Sequence, residues 1–462
     1  MNPINIHIQL SGTASSPLQL LSLQGQEAIS ELFSYTIIVR SEKSLSAAEL
    51  LFQPICLNIQ FENDITEYLH AIITQVKPMN AQDYQLGLSP HFICMQDELH
   101  TRTFKNKNVL EIFLTLCKNY SGLQSDLSKI TTPSFETSFQ FQYAETDWDF
   151  LRRLFLNHAL FFYFDQKKEN SVLVLGNETE AYPAQELKPL LMNTTLRESI
   201  FPDTKLTHVV LQAQSNDPIH AGNKLNFDER TWVVHKVKYA FSAAPGQYFN
   251  EILATPLHSP SQQKIIRRMP GPLLAKVTNT LASKIQVRFY VEQTENILDS
   301  DWIPIMQTTN GTTQSMQFIP RKDDIVLVHF AEGNANNPIA IDAIPRTSTF
   351  VLPQEKNILG WRTKTVDIAA SGFHEISFDS TEQQEKINIQ SQGDSFITAD
   401  KNMIEKISKN KITTIQTGDQ NWSITENAVF SCDKKITLKC AESMIEMDAD
   451  KITITSQKIS NR

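Results

Sequence analysis

Three carboxylate side chains stand close together in the middle of the chain and are the first candidates for chemistry. Glu145, Asp147 and Asp149 follow one another at intervals of two residues. A pair of carboxylates can supply the general acid and the base or nucleophile of glycoside hydrolysis. The same residues also suit the start of a helix, because Thr146 is a good N-cap and acidic side chains stabilise the positive end of the helix dipole. We favour the second interpretation and predict a structural role for all three.

Other motifs for catalysis or metal binding are missing from the sequence. It contains no GxSxG nucleophile elbow, no GxxxxGK(S/T) phosphate loop and no HExxH zinc motif. His158 is a candidate ligand on a predicted helix, but a packed or half-exposed histidine is the commoner case. The basic cluster Lys264, Arg267 and Arg268 fits a solvated linker better than a binding patch. We therefore predict no catalytic residue, no cofactor and no metal site.

Composition narrows the class of protein further. The formal net charge of −9 and the pI of about 5.7 disfavour nucleic-acid binding, which needs a basic surface. No run approaches the ~18 apolar residues of a membrane helix, and the N-terminus lacks the basic and apolar regions of a Sec signal peptide. The five cysteines form no CxxC pair, which fits reduced thiols. The sequence thus predicts a protein that is cytoplasmic while it assembles.

The elements expected around the acidic cluster are mostly strands. Alternating apolar and polar residues predict strands through most of the first hundred residues. Two helices are predicted, one over 109–117 with Asn108 as N-cap and one over 147–158 with Thr146 as N-cap. A Pro-containing stretch over 255–272 indicates a linker, and the five or so short strands after it predict a small β-barrel of the OB type. We expect a mainly β chain with a few helices.

The last part of the chain carries a short repeat. From 387 to 454 apolar residues occur in pairs two residues apart, which puts both members of a pair on one face of a strand. The pairs are Ile387/Ile389, Trp422/Ile424, Ile436/Leu438, Ile445/Met447 and Ile452/Ile454. Polar corners recur about every eight residues, a spacing typical of a β-helix. Because one such strand has no wide apolar face, it must stack on its neighbours and on other copies of the chain. The pattern predicts a stiff rod built from several chains.

The sequence resembles a known family, most clearly at the second predicted helix. Residues 142–154, QYAETDWDFLRRL, and 161–164, FFYF, are similar to a stretch of the VgrG proteins, the trimeric spikes of type VI secretion systems. Further similar patches occur in the family's order at 24–35, 102–112, 248–252, 284–289, 320–333 and 337–339. The resemblance implies a structural role at the motif positions Tyr143, Glu145, Asp147, Phe150, Arg153, Trp302, Pro320, Arg321, Phe330, Glu332 and Gly333.

The chain also departs from the family pattern. Ser283, Asp323 and Asp342 stand where the family has glycine, and Tyr290 begins the triplet that replaces the family's WDR. The region between the FFYF stretch and the barrel is short for the family, which predicts a trimmed second barrel in the head.

The resemblance implies an architecture and a set of partners. It predicts a phage hub-like β-barrel head with a few helices at 1–260, an OB-fold barrel at 268–346, a transition at 347–386, and at 387–462 a triple-stranded β-helix needle formed in a trimer. It implies a homotrimer whose head contacts an Hcp-like inner tube and baseplate proteins. It also implies a PAAR-like cap protein at the tip, effectors or adaptors, and the target membrane during injection. The residues expected to dock the cap are Ile445, Met447, Ile452, Ile454 and Ile459.

The function implied by this architecture is mechanical. We expect a non-enzymatic spike that punctures target membranes, assembles in the cytoplasm and is then delivered into a target cell. Two other functions stay open, a phage-tail-like cell-wall hydrolase and a trimeric adhesin fibre. Residues 347–386 are too few for a hydrolase domain between barrel and needle, few residues follow Ile454 for an effector domain, and an adhesin needs no tube-docking head.

Overall fold

A computed structural model describes most of the chain and divides it into two compact units, Met1–Val351 and Leu352–Arg462. We call residues 3–257 the head, residues 267–344 the small barrel and residues 357–460 the tail. The described residues are 3–10, 18–61, 65–131, 139–167, 169–183, 186–200, 207–243, 246–257, 265, 267–291, 299–307, 309–310, 315–316, 318–344, 357–364 and 372–460.

The head combines long strands with a few helices. In chain order its elements are β1 Pro3–Leu10, β2 Leu18–Ala28, β3 Ser34–Ser41, α1 Ala47–Leu50, β4 Pro54–Phe61, β5 Thr66–Pro78, β6 Asp83–Ser89, β7 Leu99–Lys105, α2 Val109–Cys117, β8 Ser125–Asp126, β9 Phe139–Thr146, α3 Asp147–Asn157, β10 Phe161–Gln166, β11 Ser171–Gly176, β12 Glu186–Leu187, β13 Met192–Ile200, β14 Thr207–Ser215, β15 Lys224–Phe227, β16 Arg230–Ser242 and β17 Gln247–Pro256. Single 3-10 turns lie at His91–Gln96 and Thr179–Ala181.

Twelve of the described strands of the head form one large sheet. Its main path runs β1-β4-β5-β6-β3-β2-β16-β17-β14-β13, with β12 and β15 attached beside β16. Strict alternation sets which face is buried: on β3, Ile37 and Val39 are fully covered while Arg40 is exposed. The antiparallel pair β2–β16 joins the first and second halves of the head. The late strands β13–β17 therefore extend the first sheet within the described residues.

The two main helices of the head begin and pack as their sequences predict. Asn108 and Glu111 form a reciprocal capping box at the start of α2, and the side chain of Thr146 accepts the backbone N–H of Asp149 at the start of α3. Both helices bury an apolar stripe in the large core of the head. The buried apolar residues are Val109, Ile112, Phe113 and Leu116 on α2 and Trp148, Phe150, Leu151, Leu154 and Phe155 on α3. The predicted bounds of the second helix are one residue too long, because α3 ends at Asn157.

The small barrel contains the strands β18 Leu273–Leu281, β19 Lys284–Phe289, β20 Ile303–Pro304, β21 Thr309–Asn310, β22 Ser315–Met316, β23 Ile325–Phe330 and β24 Pro338–Ile344. Five of them form the sheet β20-β19-β18-β23-β24. A parallel bridge between Ile305 and Ala340 joins its two edges, so the sheet curls back on itself. The mainly β fold and the OB-type barrel are both confirmed.

The tail is built differently from the continuous strand repeat that the sequence predicts for residues 387–454. Its strands are β25 Ile358–Lys364, β26 Phe373–Asp379, β27 Lys386–Gln390, β28 Lys435–Cys440, β29 Ser443–Asp448 and β30 Ile452–Thr455. They form two antiparallel three-stranded sheets, β25-β26-β27 and β28-β29-β30. Between them, residues 391–434 are described without any strand. Two strands of the first sheet lie inside the stretch predicted as a transition, and Trp422 and Ile424 lie in the strand-free segment.

Candidate functional site

Two of the three carboxylates around the start of α3, Glu145 and Asp147, are engaged in structural contacts. Asp147 accepts hydrogen bonds from Arg102, from the Gln142 amide at 2.8 Å and from the Tyr120 hydroxyl at 3.0 Å. Glu145 lies on β9, before the helix, and binds Arg153 at 2.9 and 3.1 Å. The prediction that this segment caps and stabilises the start of a helix is thus correct. It is incomplete for Glu145 and Asp147, which are also partners in buried ion pairs.

The two ion pairs of this cluster are well shielded from water. The side chains of Glu145 and Arg153 are 6% and 5% exposed, and that of Asp147 is 1% exposed. The guanidinium of Arg153 also donates to the carbonyl of Phe141 at 3.3 Å and lies 5.2 Å from the ring of Phe150. Removing one partner of a buried pair leaves an uncompensated charge, so the Glu145–Arg153 pair ties β9 to α3 and the Arg102–Asp147 pair ties β7 to α3.

Strand β9 carries the aromatic contact between the head and the small barrel. Phe141 is fully buried, and its ring centroid lies 5.1 Å from that of Phe289 and 6.0 Å from that of Phe330. Phe139 belongs to the same cluster, and Tyr143 packs against it while half-buried. A strand of the head therefore completes the core of the barrel. Motif residues Tyr143, Phe330 and their neighbours act in this joint.

Polar contacts reinforce the joint from both sides. Arg267 donates to the carbonyl of Ala144 at 2.8 Å and to that of Tyr143 at 3.3 Å. From the head, the Lys105 ammonium donates to the carbonyl of Ser300 at 3.0 Å. The interpretation of the basic cluster as a solvated linker is therefore wrong for Arg267 and fits Arg268, which is exposed; Lys264 lies outside the described residues.

A cavity of about 430 Å³ opens beside the joint. The head contributes Phe139, Gln140 and His158, and the barrel contributes residues 300–304, including Trp302, and 336–338. His158 is the C-cap residue that follows α3, and burial lowers the pKa of its ring. The structure places this histidine at the C-terminus of the helix, half-buried, as the packed interpretation predicts.

The remaining motif residues of the barrel stabilise its turns. The carbonyl of Pro320 accepts from Thr280 at 3.0 Å, and the backbone N–H of Arg321 donates to Asp324 at 2.7 Å. Glu332 and Gly333 have φ values of 56° and 73°, and the Gly333 carbonyl accepts the N–H of Met269 at 2.7 Å. The hydrogen bond between Gly333 and Met269 joins the turn after β23 to the segment that precedes β18.

One departure from the family pattern has a visible physical consequence. Asp323, which replaces a family glycine, keeps a left-handed backbone with a φ of 75°. Glycine adopts this region without strain, whereas other residues do so at a cost, asparagine and aspartate most readily. Asp323 also forms a 2.7 Å ion pair with Lys276. The turn thus keeps its left-handed conformation with aspartate in place of the family's glycine.

An acid–histidine cluster in the head, with Glu27 buried and His220 and Glu67 partly exposed, gave no signal in the sequence. The His220 ring lies 3.2 Å from Glu27 through Nδ1 and 3.2 Å from Glu67 through Nε2. The Tyr35 hydroxyl donates to Glu27, and the Tyr239 hydroxyl donates to the Ile219 carbonyl at 2.8 Å and lies 3.1 Å from His220 Nδ1. Glu27, Glu67 and Tyr239 lie on β2, β5 and β16, so the cluster links strands from both halves of the large sheet.

The ring of His220 is held in its charged form. Burial alone would lower its pKa, but the charge of Glu27 and hydrogen bonds to Glu27 and Glu67 raise the pKa of His220 well above its ordinary value. Burial likewise opposes the charge on Glu27, yet the charge and hydrogen bond of His220 lower the pKa of that carboxyl. The three groups form a carboxylate–imidazolium–carboxylate bridge. None of them lines the cavity of about 430 Å³ beside the joint.

The tail presents two apolar faces of the same design. In the first sheet, Leu359, Phe378 and Ile387 stand in register across the strands, as do Trp361, Ile376 and Ile389. In the second sheet the two rows are Leu438, Ile445 and Ile454, and Ile436, Met447 and Ile452. The pairs predicted to share a face therefore do so in both sheets.

These faces are open to water in a single chain. Ile387 and Ile389 are 67% and 70% exposed, and Ile452 is 67% exposed. The segment between the sheets is more open still: Phe396, Ile412 and Val429 are 85–87% exposed. Contiguous exposed apolar surface of this kind marks an interaction site.

The five residues predicted to dock a cap fall in two places. Ile445, Met447, Ile452 and Ile454 are brought together on the apolar face of β28-β29-β30, and Ile459 follows the last strand, 63% exposed. All five lie in the last part of the chain that the structure describes.

Two other kinds of site are not found in the described part of the chain. It contains no group of three or more His, Cys, Asp or Glu side chains able to hold a metal ion. None of its described helices has the length and apolar character needed to cross a bilayer. All five cysteines are free thiols.

Comparison with protein families identifies two regions of the chain. Residues 26–241 match the model of the phage tail baseplate hub, and residues 273–344 match that of the type VI secretion system/phage-baseplate injector OB domain. The two matches cover the head and the small barrel in that order, and together they span more than half of the chain.

Curated relatives carry the same name as the family that the sequence resembles. The type VI secretion system spike protein VgrG1a of Pseudomonas aeruginosa is 27% identical over 170 residues, which is 36% of this chain and 26% of the relative. The actin cross-linking toxin VgrG1 of Vibrio cholerae is 20% identical over 549 residues, 94% of this chain and 50% of the toxin. The chain thus spans about a quarter to a half of the length of these relatives.

Solved structures share the fold. An Escherichia coli component of the type VI secretion system, described as similar to the T4 bacteriophage tail proteins gp27 and gp5, superposes with a TM-score of 0.60 at 15% identity, covering 73% of this chain and 99% of that one. A Francisella PdpA-VgrG complex, half-lidded, superposes with a TM-score of 0.59 at 10% identity, covering 97% and 87%. The motif positions, the two domain matches and the named relatives agree, and the chain belongs to the VgrG family of spike proteins.

Proposed function

We propose that this chain is a structural spike of a contractile injection machine of the type VI secretion kind. The observation that carries the proposal is the order of its parts: a baseplate-hub head, an injector OB barrel and a tail of exposed apolar rows. In this function the spike punctures the target membrane and carries a cap protein and effectors. Sheath contraction supplies the force, and the spike supplies stiffness.

The working form is a homotrimer. Support comes from the tail, where apolar side chains of up to 87% exposure lack cover within the described chain. Each large apolar side chain gains about 1.5–3 kcal/mol when it is fully buried, so association of copies is strongly favoured. A closed rotational trimer leaves no surplus apolar face and fits the needle, a triple-stranded β-helix, that we propose for residues 387–462.

The joint between head and barrel suits a part that transmits force. Phe141 is inserted in the barrel core, and the strand that carries it is held by the Glu145–Arg153 ion pair and by the hydrogen bond from the Gln142 amide to Asp147. The motif residues of this region and of the barrel turns therefore have structural functions. The domains that we propose span about 1–260 for the head, 268–346 for the OB barrel, 347–386 for the transition and 387–462 for the needle. We propose no enzymatic activity, cofactor or metal for this chain, because the two buried carboxylates of the acidic cluster, Glu145 and Asp147, are paired with arginines.

The partners follow from the position of each part. The head docks on an Hcp-like inner tube and on baseplate proteins, and the region with Ile445, Met447, Ile452, Ile454 and Ile459 receives a PAAR-like cap. Effectors or adaptors travel with the cap or on the spike; the PdpA-VgrG complexes are a case in which a protein of this name assembles with another protein. The spike assembles in the cytoplasm and is then delivered into the target cell.

The proposal is tested by mass and by export. The full chain, whose protomer mass is 52.5 kDa, is expected to elute as a trimer in light scattering. In the source bacterium, deletion of the gene is expected to stop the release of tube protein into the medium, and the wild-type gene to restore it. A single-chain particle with a protease-resistant tail, or undiminished release from the deletion strain, would contradict the proposal.

Truncation after Asp433 tests the cap. We expect the shortened chain to remain trimeric through its head and first tail sheet, and to lose the capture of a PAAR-repeat protein in a pull-down. Capture at the wild-type level by the truncated spike would remove the distal region from the docking site.

A further inference from the structure

The cavity beside the joint gathers residues that the proposed function leaves without a role. Its volume of about 430 Å³ lies within the range of small-molecule sites in proteins, and both the head and the small barrel line it. Its wall contains Trp302, which belongs to the family motif, and His158, which the sequence offered as a candidate ligand. The chemistry of the wall indicates which kind of molecule could fill the cavity.

The wall of the cavity carries little charge. Asp301 is the one carboxylate among the described residues that line it, and none of these residues is a lysine or an arginine. Burial lowers the pKa of His158, so its ring is neutral near pH 7. An anionic ligand such as phosphate would therefore meet a carboxylate and no cation in this wall, which argues against nucleotides and phosphorylated ligands.

The polar groups of the wall can both donate and accept hydrogen bonds. Three carboxamides line it, those of Gln140, Asn336 and Asn337, and each has two N–H donors and a carbonyl acceptor. The amides of Gln140 and Asn336 lie 3.5 Å apart, at the outer limit of a hydrogen bond. Neither the side chain of Asn337 nor the indole N–H of Trp302 forms a hydrogen bond with the part of the chain that the structure describes. Because a hydroxyl group also donates and accepts, a ligand with several hydroxyls matches this set.

Aromatic and proline residues lie beside these amides. Trp302, which is half-buried, lines the cavity together with Phe139, Pro304 and Pro338. The face of an aromatic ring carries partial negative charge and attracts the slightly positive hydrogens of C–H groups. A sugar ring presents C–H groups on its faces and hydroxyls around its rim, so it suits both parts of the wall.

The barrel side of the wall is fixed before any ligand binds. Ser300 is 1% exposed, and its hydroxyl accepts the N–H of Val287 at 3.0 Å and donates to the carbonyl of Asp301 at 2.7 Å. The carbonyl of Ser300 accepts the Lys105 ammonium of the head at 3.0 Å. Asp301 in turn accepts the backbone N–H of Trp302 at 2.9 Å. A site that is already ordered binds its ligand at a smaller entropic cost.

We propose that the cavity between the head and the small barrel is a binding site for a neutral saccharide. The sugar ring stacks on Trp302, and its hydroxyls form hydrogen bonds with Gln140, Asn337 and the carboxylate of Asp301. A bound sugar contacts both domains and stabilises the joint by mass action. The site is independent of the proposed spike function, because a spike that binds no sugar is still a spike.

The test is saturation-transfer NMR on the full chain, which detects weak binding of a small molecule to a large protein. The probes are glucose, galactose, maltose and N,N′-diacetylchitobiose, each in the millimolar range. The tripeptide Gly-Lys-Gly is the cationic probe and inorganic phosphate the anionic one. We expect transfer to at least one of the four sugars and to neither charged probe, and a titration with that sugar gives its Kd.

Two variants and one control locate the site. Trp302→Leu removes the stacking surface and should weaken sugar binding about tenfold or more. Its matched control is Trp361→Leu, which alters a tryptophan of the tail that is 48% exposed and should bind the sugar as the wild type does. Asn337→Ala removes a side chain that is exposed and makes no hydrogen bond with the described residues. It should therefore fold normally and bind about 2- to 10-fold more weakly. Calorimetry checks the fold of each variant, and Asn337→Ala decides if Trp302→Leu fails to fold.

Three results would overturn the inference. In the first, none of the four sugars receives magnetisation from the wild type. In the second, a sugar binds but its Kd is unchanged in Asn337→Ala and in folded Trp302→Leu, or only Trp361→Leu weakens it, which would place the sugar elsewhere. In the third, Gly-Lys-Gly binds and the sugars do not, which would make the cavity a site for a cationic side chain. Each of these results leaves the light-scattering and export tests of the spike unaffected, so failure of the sugar site is distinguishable from failure of the proposed function.

Discussion

The head and the tail use the same sequence pattern with opposite results. Ile37 and Val39 on β3, two residues apart, are completely buried, whereas Ile387 and Ile389 on β27, with the same spacing, are 67% and 70% exposed. In the head the covering surface comes from other parts of the same chain, such as the aromatic stripe of α3. In the tail no described part of the chain covers the face. Alternation therefore reveals which face is apolar, and leaves open which molecule covers it.

The difference has consequences for stability. A core closed within one chain unfolds with a free energy that is independent of concentration, whereas a face covered by other copies gains stability by mass action. Substitutions in the head should therefore act at any concentration, and substitutions in the tail should act through assembly.

Phe141→Ala should have the largest effect, because it empties space in a core shared by the head and the barrel. We expect a loss of about 3–5 kcal/mol in the free energy of unfolding, the usual cost of such a cavity. With the aromatic contact to Phe289 and Phe330 removed, calorimetry should resolve separate transitions for head and barrel at every protein concentration.

Leu114→Ala is the control for this change. Leu114 lies on α2 but is 44% exposed, and alanine is a good helix former, so its transition should stay within about 0.5 kcal/mol of the wild type. Equal destabilisation by the two variants would show that Phe141 has no special place at the joint.

Glu145→Gln should cost somewhat less. The amide keeps the shape of the carboxylate and one acceptor, but it leaves the buried guanidinium of Arg153 without a counter-charge, which typically costs about 3 kcal/mol or more. Denaturant unfolding of the full chain measures the loss. Asp149→Asn, an exposed carboxylate four residues further on, provides the comparison and should change stability by less than about 0.5 kcal/mol. An unchanged unfolding free energy for Glu145→Gln would mean that the Glu145–Arg153 pair contributes no more to stability than an exposed salt bridge does.

The helices and the joint show which features can be predicted from the sequence and which cannot. The caps Asn108 and Thr146 and the bounds of the two helices to within one residue were predicted from local spacing, because these features depend on neighbours within four residues. The alternation at Phe139 and Phe141 predicts a shared face, but the core that receives it is formed by residues near 289 and 330. Local pattern carries no information on a partner so far along the chain.

The ionic partners were missed for the same reason. Arg102 and Asp147 are 45 residues apart and His220 and Glu27 are 193 apart, and no periodicity connects them. The family motif marked Glu145, Asp147 and Arg153 as structural without indicating which charge meets which. In the tail the rows of apolar residues were predicted, while the antiparallel pairing within each sheet was not, since register depends on turns and on cover from outside the strand.

Ile412→Ser tests the tail with a smaller effect. Ile412 is 85% exposed in one chain, so a monomer would tolerate the change within about 0.5 kcal/mol. If other copies cover it, we expect a loss of about 1.5–3 kcal/mol per copy. The readout is the protein concentration at which residues 391–434 become protected from protease, which should rise while the head transition stays unchanged.

Thr413→Ser, at the neighbouring exposed position, should leave that concentration unaltered. A tail that is protected equally in Ile412→Ser and in the wild type would mean that this side chain has no cover in the assembly, which would break the contrast drawn between tail and head.

The smallest effect concerns pH and is confined to the head. The pKa of His220 is raised in the folded chain by Glu27 and Glu67, so its ion pairs stabilise the head fully below its unfolded pKa of about 6.5 and progressively less as pH rises through the raised value. We expect the unfolding free energy of the head to fall as pH rises above about 6.5 toward the raised pKa of His220. His220→Gln should be less stable at pH 6.5 and should lose this slope.

The comparison variant for the pH series is His329→Gln, which removes an exposed histidine from the small barrel. It should keep the alkaline slope of the wild type, because the slope arises from the protons that the bridge between β2, β5 and β16 binds more tightly when folded. The slope should also be independent of protein concentration, since Glu27, Glu67 and His220 all belong to one chain. If the slope persists in His220→Gln, or changes on dilution, the bridge does not govern it, and part of the head would depend on other copies as the tail does.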